Sequence, residues 1–157
     1  MKLTIEKAKE LCQKAAESMK DKINREFMLM HARHVAYIAK ILAKGRFDEE
    51  MLEIAAWVHD IGKAVNEEGH ENYSIAMLKD YEISAAMKDC ILNHGSAKHP
   101  KTEEGKIIQA ADKVSILNPE VVQLLVQYND KQIKKEEAGF LRKMTESAVK
   151  LLEGLQL

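Results

Sequence analysis

Apolar positions along most of this chain recur every three or four residues, the spacing that lines one face of an α-helix. Behind Thr4, a hydroxyl residue suited to an N-cap, Ile5, Ala8, Cys12, Ala15 and Met19 predict an amphipathic helix over residues 4–20. A second stripe, Phe27, His31, Val35, Ile38 and Leu42, predicts a helix over 24–44, with Gly45 available for a left-handed stop. Asp48 can cap a third helix, whose buried face runs Met51, Leu52, Ala55, Val58 and His59 and ends near Gly62. After the polar stretch GKAVNEEGH the pattern predicts a short helix over about 72–80, and Ser84 opens another with Met87, Ile91 and His94 on one face. Thr102 starts a helix carrying Ile108, Ala111, Asp112 and Ser115 along one side, which runs to Leu117 and stops at Asn118-Pro119. Two more, about 119–129 and 131–155, offer Val122 and Leu125, then Leu141, Met144, Ala148, Leu151 and Leu155, as packing positions.

No segment alternates with period two and β-branched enrichment, and no internal repeat is present. The expected fold class is therefore all-α, a bundle of about seven or eight helices. A length of 157 residues suits a single domain, so one active site is expected within 1–157. Apolar residues at 46% and charged ones at 31% allow a sizeable buried core. Lys and Arg number 24 against 25 Asp and Glu, so no bulk positive field gathers nucleic acid or anionic membrane. The first twenty residues mix acids and lysines and no long apolar run follows, which sets the expectation of a cytoplasmic protein without membrane contact. Cys12 and Cys90 have no CxxC spacing and read as reduced packing residues.

The histidines change this bland picture. All six, at positions 31, 34, 59, 70, 94 and 99, precede residue 100, and several fall on apolar stripes. Any one alone would read as a satisfied core or surface histidine. Asp112 on an apolar face carries a heavy desolvation cost unless it meets a cation or strong donors, and a bound metal would supply that charge. His59 and Asp60 are adjacent, so their side chains diverge by about 100° on a helix and reach one ion only if that edge faces a cleft. Imidazole and carboxylate donors without thiolate suit Fe, Mn, Co, Ni or Zn rather than an all-oxygen calcium site.

The strings HARHVAYIAKILA, WVHDIGK, GHENYSIAML, ILNHG and AADKVSIL, in this order between residues 31 and 117, resemble the HD superfamily of metal-dependent phosphohydrolases. The resemblance covers that motif core and leaves 119–157 as C-terminal packing helices. It implies a first metal held by His31, His59, Asp60 and Asp112. His31 is selected over His34 because the family's upstream histidine stands four residues before a Val-Ala pair, here Val35-Ala36. Branches with two metals add two histidines, and His70 and His94 match those places, with Asp60 as the bridging ligand. The expected chemistry is hydrolysis of a phosphomonoester or phosphodiester in a small nucleotide-like substrate by metal-activated water, with Asp60 and Lys63 as catalytic residues. Lys63, one turn after His59, would stabilise transition-state charge, and His34 and His99 are candidate substrate contacts. The GYP signature and the additional histidine of HD-GYP domains are missing, which disfavours cyclic dinucleotides. The stretch 70–112 also looks like the catalytic part of ribonuclease Y, without that family's membrane anchor and RNA-binding module, so a small substrate is preferred to nucleic acid. A di-iron oxygenase on the same fold and a nucleotide-binding sensor with weak turnover are the competing functions, and a purely structural helical module ranks last.

Overall fold

A computed structural model of the chain describes residues 1–121, 124 and 135–155. Among these, the helices are α1 (Ile5–Ser18), α2 (Lys22–Ala43), α3 (Glu49–Val58), α4 (His70–Met77), α5 (Ala85–Leu92), α6 (Glu103–Ser115) and α7 (Lys135–Gly154). A single 3-10 turn, Ile61–Ala64, lies between α3 and α4. No strand occurs among the described residues; the nearest approach to one is an isolated bridge between Lys2 and Glu82. The all-α expectation holds.

Side chains set most of the helix starts. Thr4, Asp48, Ser84 and Thr102 each accept a hydrogen bond from the backbone N–H three residues on, satisfying an otherwise orphaned donor. α2 begins two residues earlier than the periodicity predicts because Asp21 caps it in the same way, accepting from Asn24 N at 2.9 Å. It ends on two consecutive left-handed residues, Lys44 and Gly45. The short helix expected over 72–80 instead starts at His70 and ends at Met77, after Gly69 turns the chain in the left-handed region. The helix expected over 119–129, with Val122 and Leu125, falls largely outside the described residues, as do the side chains of Leu141 and Met144. In α7, Ala148 and the following Leu155 are buried and Leu151 is partly so.

The centre of the bundle is the packing of α2 against α3 and α6, with α1 beside α2 and α3. Small buried residues line it: Ala32, Ala36 and Ala39 on α2, Ala55 and Ala56 on α3, Ala110 and Ala111 on α6. Alanine lets helix axes approach closely, so short polar side chains on the same faces can meet. Larger residues, Val35, Leu52, Val58, Ile61, Ile91 and Ile108, fill the layers around them. The 3-10 turn docks on α4 at Gly62, where a Cβ would stand 2.0 Å from the His70 carbonyl oxygen and 2.6 Å from the Ser74 nitrogen. Only glycine permits that approach, which brings the residues after α3 beside those that open α4.

Candidate metal centre

Four imidazoles converge from separate segments, and each is oriented by a partner on its Nδ1. His59, capping α3, points Nδ1 at the Ala56 carbonyl 2.7 Å away. His70 uses the Glu67 carbonyl at 2.9 Å and His94 the Ile91 carbonyl at 2.7 Å. A carbonyl can only accept, so Nδ1 carries the proton in all three and Nε2 is left to present a lone pair to a cation or, in the protonated ring, an N–H to a carboxylate. His31 reaches the same state through Ser115: its hydroxyl donates to the Asp112 carbonyl at 2.7 Å and so accepts from His31 Nδ1 at 2.9 Å. Such partners fix the ring orientation and tautomer of ligating histidines.

The Nε2 atoms face two aspartates. His31 Nε2 lies 2.9 Å from Asp112 Oδ1 and 3.5 Å from Asp60 Oδ2; His59 Nε2 lies 3.5 Å from each of those oxygens. On the other side of Asp60, Oδ1 is 3.0 Å from His70 Nε2 and 3.3 Å from His94 Nε2. One group thus comprises His31, His59, Asp60 and Asp112, and a second Asp60, His70 and His94, with donor atoms in each group within 4.8 Å of one another. Asp60 belongs to both, offering a different oxygen to each.

Two features fit this donor set to a cation. The buried His59 Nε2 and Asp60 Oδ1 have no hydrogen-bond partner, a costly arrangement for isolated polar atoms. His70 Nε2 and His94 Nε2 stand 3.1 Å apart with both Nδ1 protons already committed, so lone pair meets lone pair unless a proton or a cation lies between them. Nitrogen and oxygen donors without sulfur suit a divalent first-row transition ion.

Charge is balanced locally. Burial pushes the Asp60 carboxyl up, but His59, Lys63, His70 and His94 together hold it well below the usual carboxylate range. Burial acts likewise on Asp112, and His31, His59 and Lys113 outweigh it. Both are therefore carboxylates at neutral pH. Lys63 Nζ is 2.7 Å from Asp60 Oδ2; burial opposes its charge, yet Asp60, Glu67 and Asp112 raise its pKa overall. His70 is similarly raised, desolvation being outweighed by Asp60 and the Glu67 carbonyl. Lys113 pairs with Asp112 Oδ2.

All six residues expected as metal ligands come together here. His34 belongs to neither group: its Nε2 lies 3.3 Å from Glu120, and Asn118 donates to its Nδ1 at 3.2 Å. His99 is exposed and lines a separate cavity with residues of α6 and α7. Lys63 and Asp60 open onto a cleft of roughly 240 Å³ lined by the apolar Met19, Ile23, Phe27, Met28 and Leu124 and by the polar Asn24 and Glu67. Phe27 stacks on His31, ring centroids 5.4 Å apart. Sequence reasoning assigned no role to Ser115, Lys113 or Ser74. Ser115 carried a signal, sharing the Asp112 stripe one turn on. Ser74 carried none: it accepts from Gly62 N and donates to the His59 carbonyl, both at 2.9 Å, locking the turn behind the histidine-aspartate pair.

Comparison with known proteins decides the family, since the HD domain model matches residues 28–117, a span that includes every residue of both groups. The chain belongs to the HD domain family. A ribonuclease Y from Desulforudis audaxviator is 35% identical, covering 59% of this chain and 19% of the relative. One from Fervidobacterium nodosum is 30% identical over 83% of this chain and 26% of that protein. A deoxyguanosinetriphosphate triphosphohydrolase-like protein of Caldanaerobacter subterraneus subsp. tengcongensis is 30% identical, covering 59% of this chain and 34% of the relative. The chain therefore spans between 19% and 34% of the length of these curated relatives. The crystal structure of a predicted HD superfamily hydrolase from an uncultured Thermotogales bacterium shares this HD fold, with a TM-score of 0.60, 21% identity, and coverage of 92% of this chain and 86% of that one. Among the described residues no helix is long and apolar enough to cross a membrane.

Proposed function

We propose that this HD domain is a metal-dependent phosphohydrolase that cleaves a phosphomonoester or phosphodiester of a small nucleotide-like molecule. The observation that carries the reading is the division of Asp60, whose two oxygens face two sets of oriented imidazoles, beside a buried His59 Nε2 with no partner. His31, His59, Asp60 and Asp112 would hold one divalent ion, and Asp60, His70 and His94 a second. When bound, such ions make water nucleophilic at neutral pH and draw charge from phosphoryl oxygens. Asp60 keeps its charge at working pH and spans the two positions. Lys63 stays cationic and lines the cleft, so its ammonium can turn from Asp60 to a phosphate oxygen. Met19, Ile23, Phe27 and Met28 supply an apolar wall suited to a base or sugar face, and Asn24 a polar edge. His34 and His99 are not among the residues lining the cleft, so this reading leaves them without a substrate contact.

Hydrolysis of an RNA phosphodiester is the second reading, favoured by the identity with ribonuclease Y over as much as 83% of the chain. The even charge balance, 24 basic against 25 acidic residues, argues against it within this domain. The test is metal analysis of the purified protein, then a screen of nitrophenyl phosphate esters, nucleotides and a short oligoribonucleotide, with Asp60→Ala alongside. Metal-dependent hydrolysis, read as nitrophenol release or product separation and reduced roughly 10³-fold in Asp60→Ala, is expected, because removing a ligand shared by both positions forfeits several kcal/mol of transition-state stabilisation. Undiminished hydrolysis by that variant would overturn the proposal. Cleavage of the oligoribonucleotide in preference to nucleotides would favour the second reading.

A further inference from the structure

A larger cavity, roughly 620 Å³, lies between the 96–100 loop, α6 and α7. Its walls gather positive charge from three segments: Lys98 from the loop, Lys106 from α6, and Lys143 and Lys150 from α7. On α7, Lys143, Ser147 and Lys150 recur at helical spacing, forming a row of donors along one face. Glu146 places one carboxylate on the same wall, and Lys106 is engaged by Glu103 at 2.6 Å. Lys98, Lys143 and Lys150 have no ion-pair partner among the described residues, so their charge on this wall is offset only by Glu146. In a chain of net charge −1 this concentration is local rather than a consequence of overall basicity.

The rim is held in place. The buried Gln109 amide donates to the Gly95 carbonyl at 2.8 Å and to the Lys98 carbonyl at 3.0 Å. Asp89 accepts from Lys101 N at 2.9 Å and Thr102 N at 2.8 Å, fixing the other end of the loop. Ammonium groups gathered on one wall repel one another, and a multiply charged anion relieves that repulsion with the loop backbone already in place, leaving only the lysine side chains to order.

We propose that this cavity is a binding site for a small polyphosphate anion, separate from the metal centre. The volume suits a ligand larger than one phosphate, and cations on three segments can engage several phosphoryl groups at once. A long nucleic acid would need an extended positive track, which the balanced charge does not provide.

Calorimetric titration with inorganic tripolyphosphate in the presence of EDTA tests the proposal without involving bound metal. The wild type and Asp60→Ala should bind equally, and the triple variant Lys98→Gln, Lys143→Gln, Lys150→Gln should bind about tenfold or more weakly. A control triple, Lys14→Gln, Lys44→Gln, Lys79→Gln, should stay close to wild type; all six lysines are exposed, and circular dichroism verifies folding. Absence of binding by the wild type, unchanged binding by the cavity triple, or equal weakening in the control would overturn the proposal. So would loss of binding in Asp60→Ala, or tighter binding of an oligoribonucleotide than of tripolyphosphate. Because no metal or turnover enters the measurement, its failure is distinguishable from failure of the hydrolase reading.

Discussion

The two ligand groups that share Asp60 are built from different materials. His31, His59 and Asp112 stand where the long helices α2, α3 and α6 pack through alanines, and every member is buried. His70 and His94 come from the first residue of an eight-residue helix and from the residue two beyond the end of another, and His70 is only half-buried. The first group inherits its geometry from the core, so moving it means unpacking the bundle. The second draws both of its histidines from the ends of eight-residue helices, where local opening is less costly. The same donor chemistry is thus set by core packing of the larger helices on one side of Asp60 and by the ends of two eight-residue helices on the other.

Paired substitutions give the largest expected contrast. His59→Ala should abolish metal-dependent hydrolysis, by roughly 10³-fold, and empty the first position. On the proposed two-ion reading, His94→Ala should instead lower the metal content of the purified protein while the first position still fills. Equal metal loss in the two variants, measured by mass spectrometry of the bound metal, would erase the distinction between the groups. A smaller effect is expected from Ser115→Ala, which frees His31 Nδ1 without touching a ligand. Metal affinity should fall roughly 10–100-fold, read by competition with a chelating dye, with the thermal midpoint of the metal-free protein little changed.

The smallest expected effect concerns the frame rather than the centre. Asp89 on α5 is buried and accepts from Lys101 N, Thr102 N, the Thr102 hydroxyl and Asn93, bonds that outweigh its desolvation and lower its pKa. A carboxyl whose folded pKa is depressed adds stability that is complete above its unfolded pKa, about 3.9, and is lost as pH falls through the folded value. Asp89→Asn should therefore cost about 1–2 kcal/mol in urea unfolding at pH 7. The gap from wild type should narrow progressively below pH 4. A constant gap down to pH 2 would show that the charge of Asp89 contributes nothing.

Hydrophobic periodicity was enough to place the described helices to within a few residues, because each amphipathic face repeats within one segment. Imidazoles and a carboxylate on those faces were conspicuous for the same reason, and family resemblance ordered them into two groups. The expectation that His34 or His99 reaches the substrate rested on the family position of the one and the polar loop that carries the other. Glu120 and Asn118 engage His34, and a separate cavity has His99 on its wall.

What the residue order determined by itself was an all-helical HD domain with ionisable side chains on buried faces. That information is local: spacing reports which side of a helix is dry. Tertiary packing alone decided that each Nδ1 proton is spent on a carbonyl or hydroxyl, that Asp60 divides its oxygens between two groups, and that α7 brings lysines against the 96–100 loop. Those features arise between segments far apart in sequence, where ring orientation follows from how faces meet and no periodic signal records it.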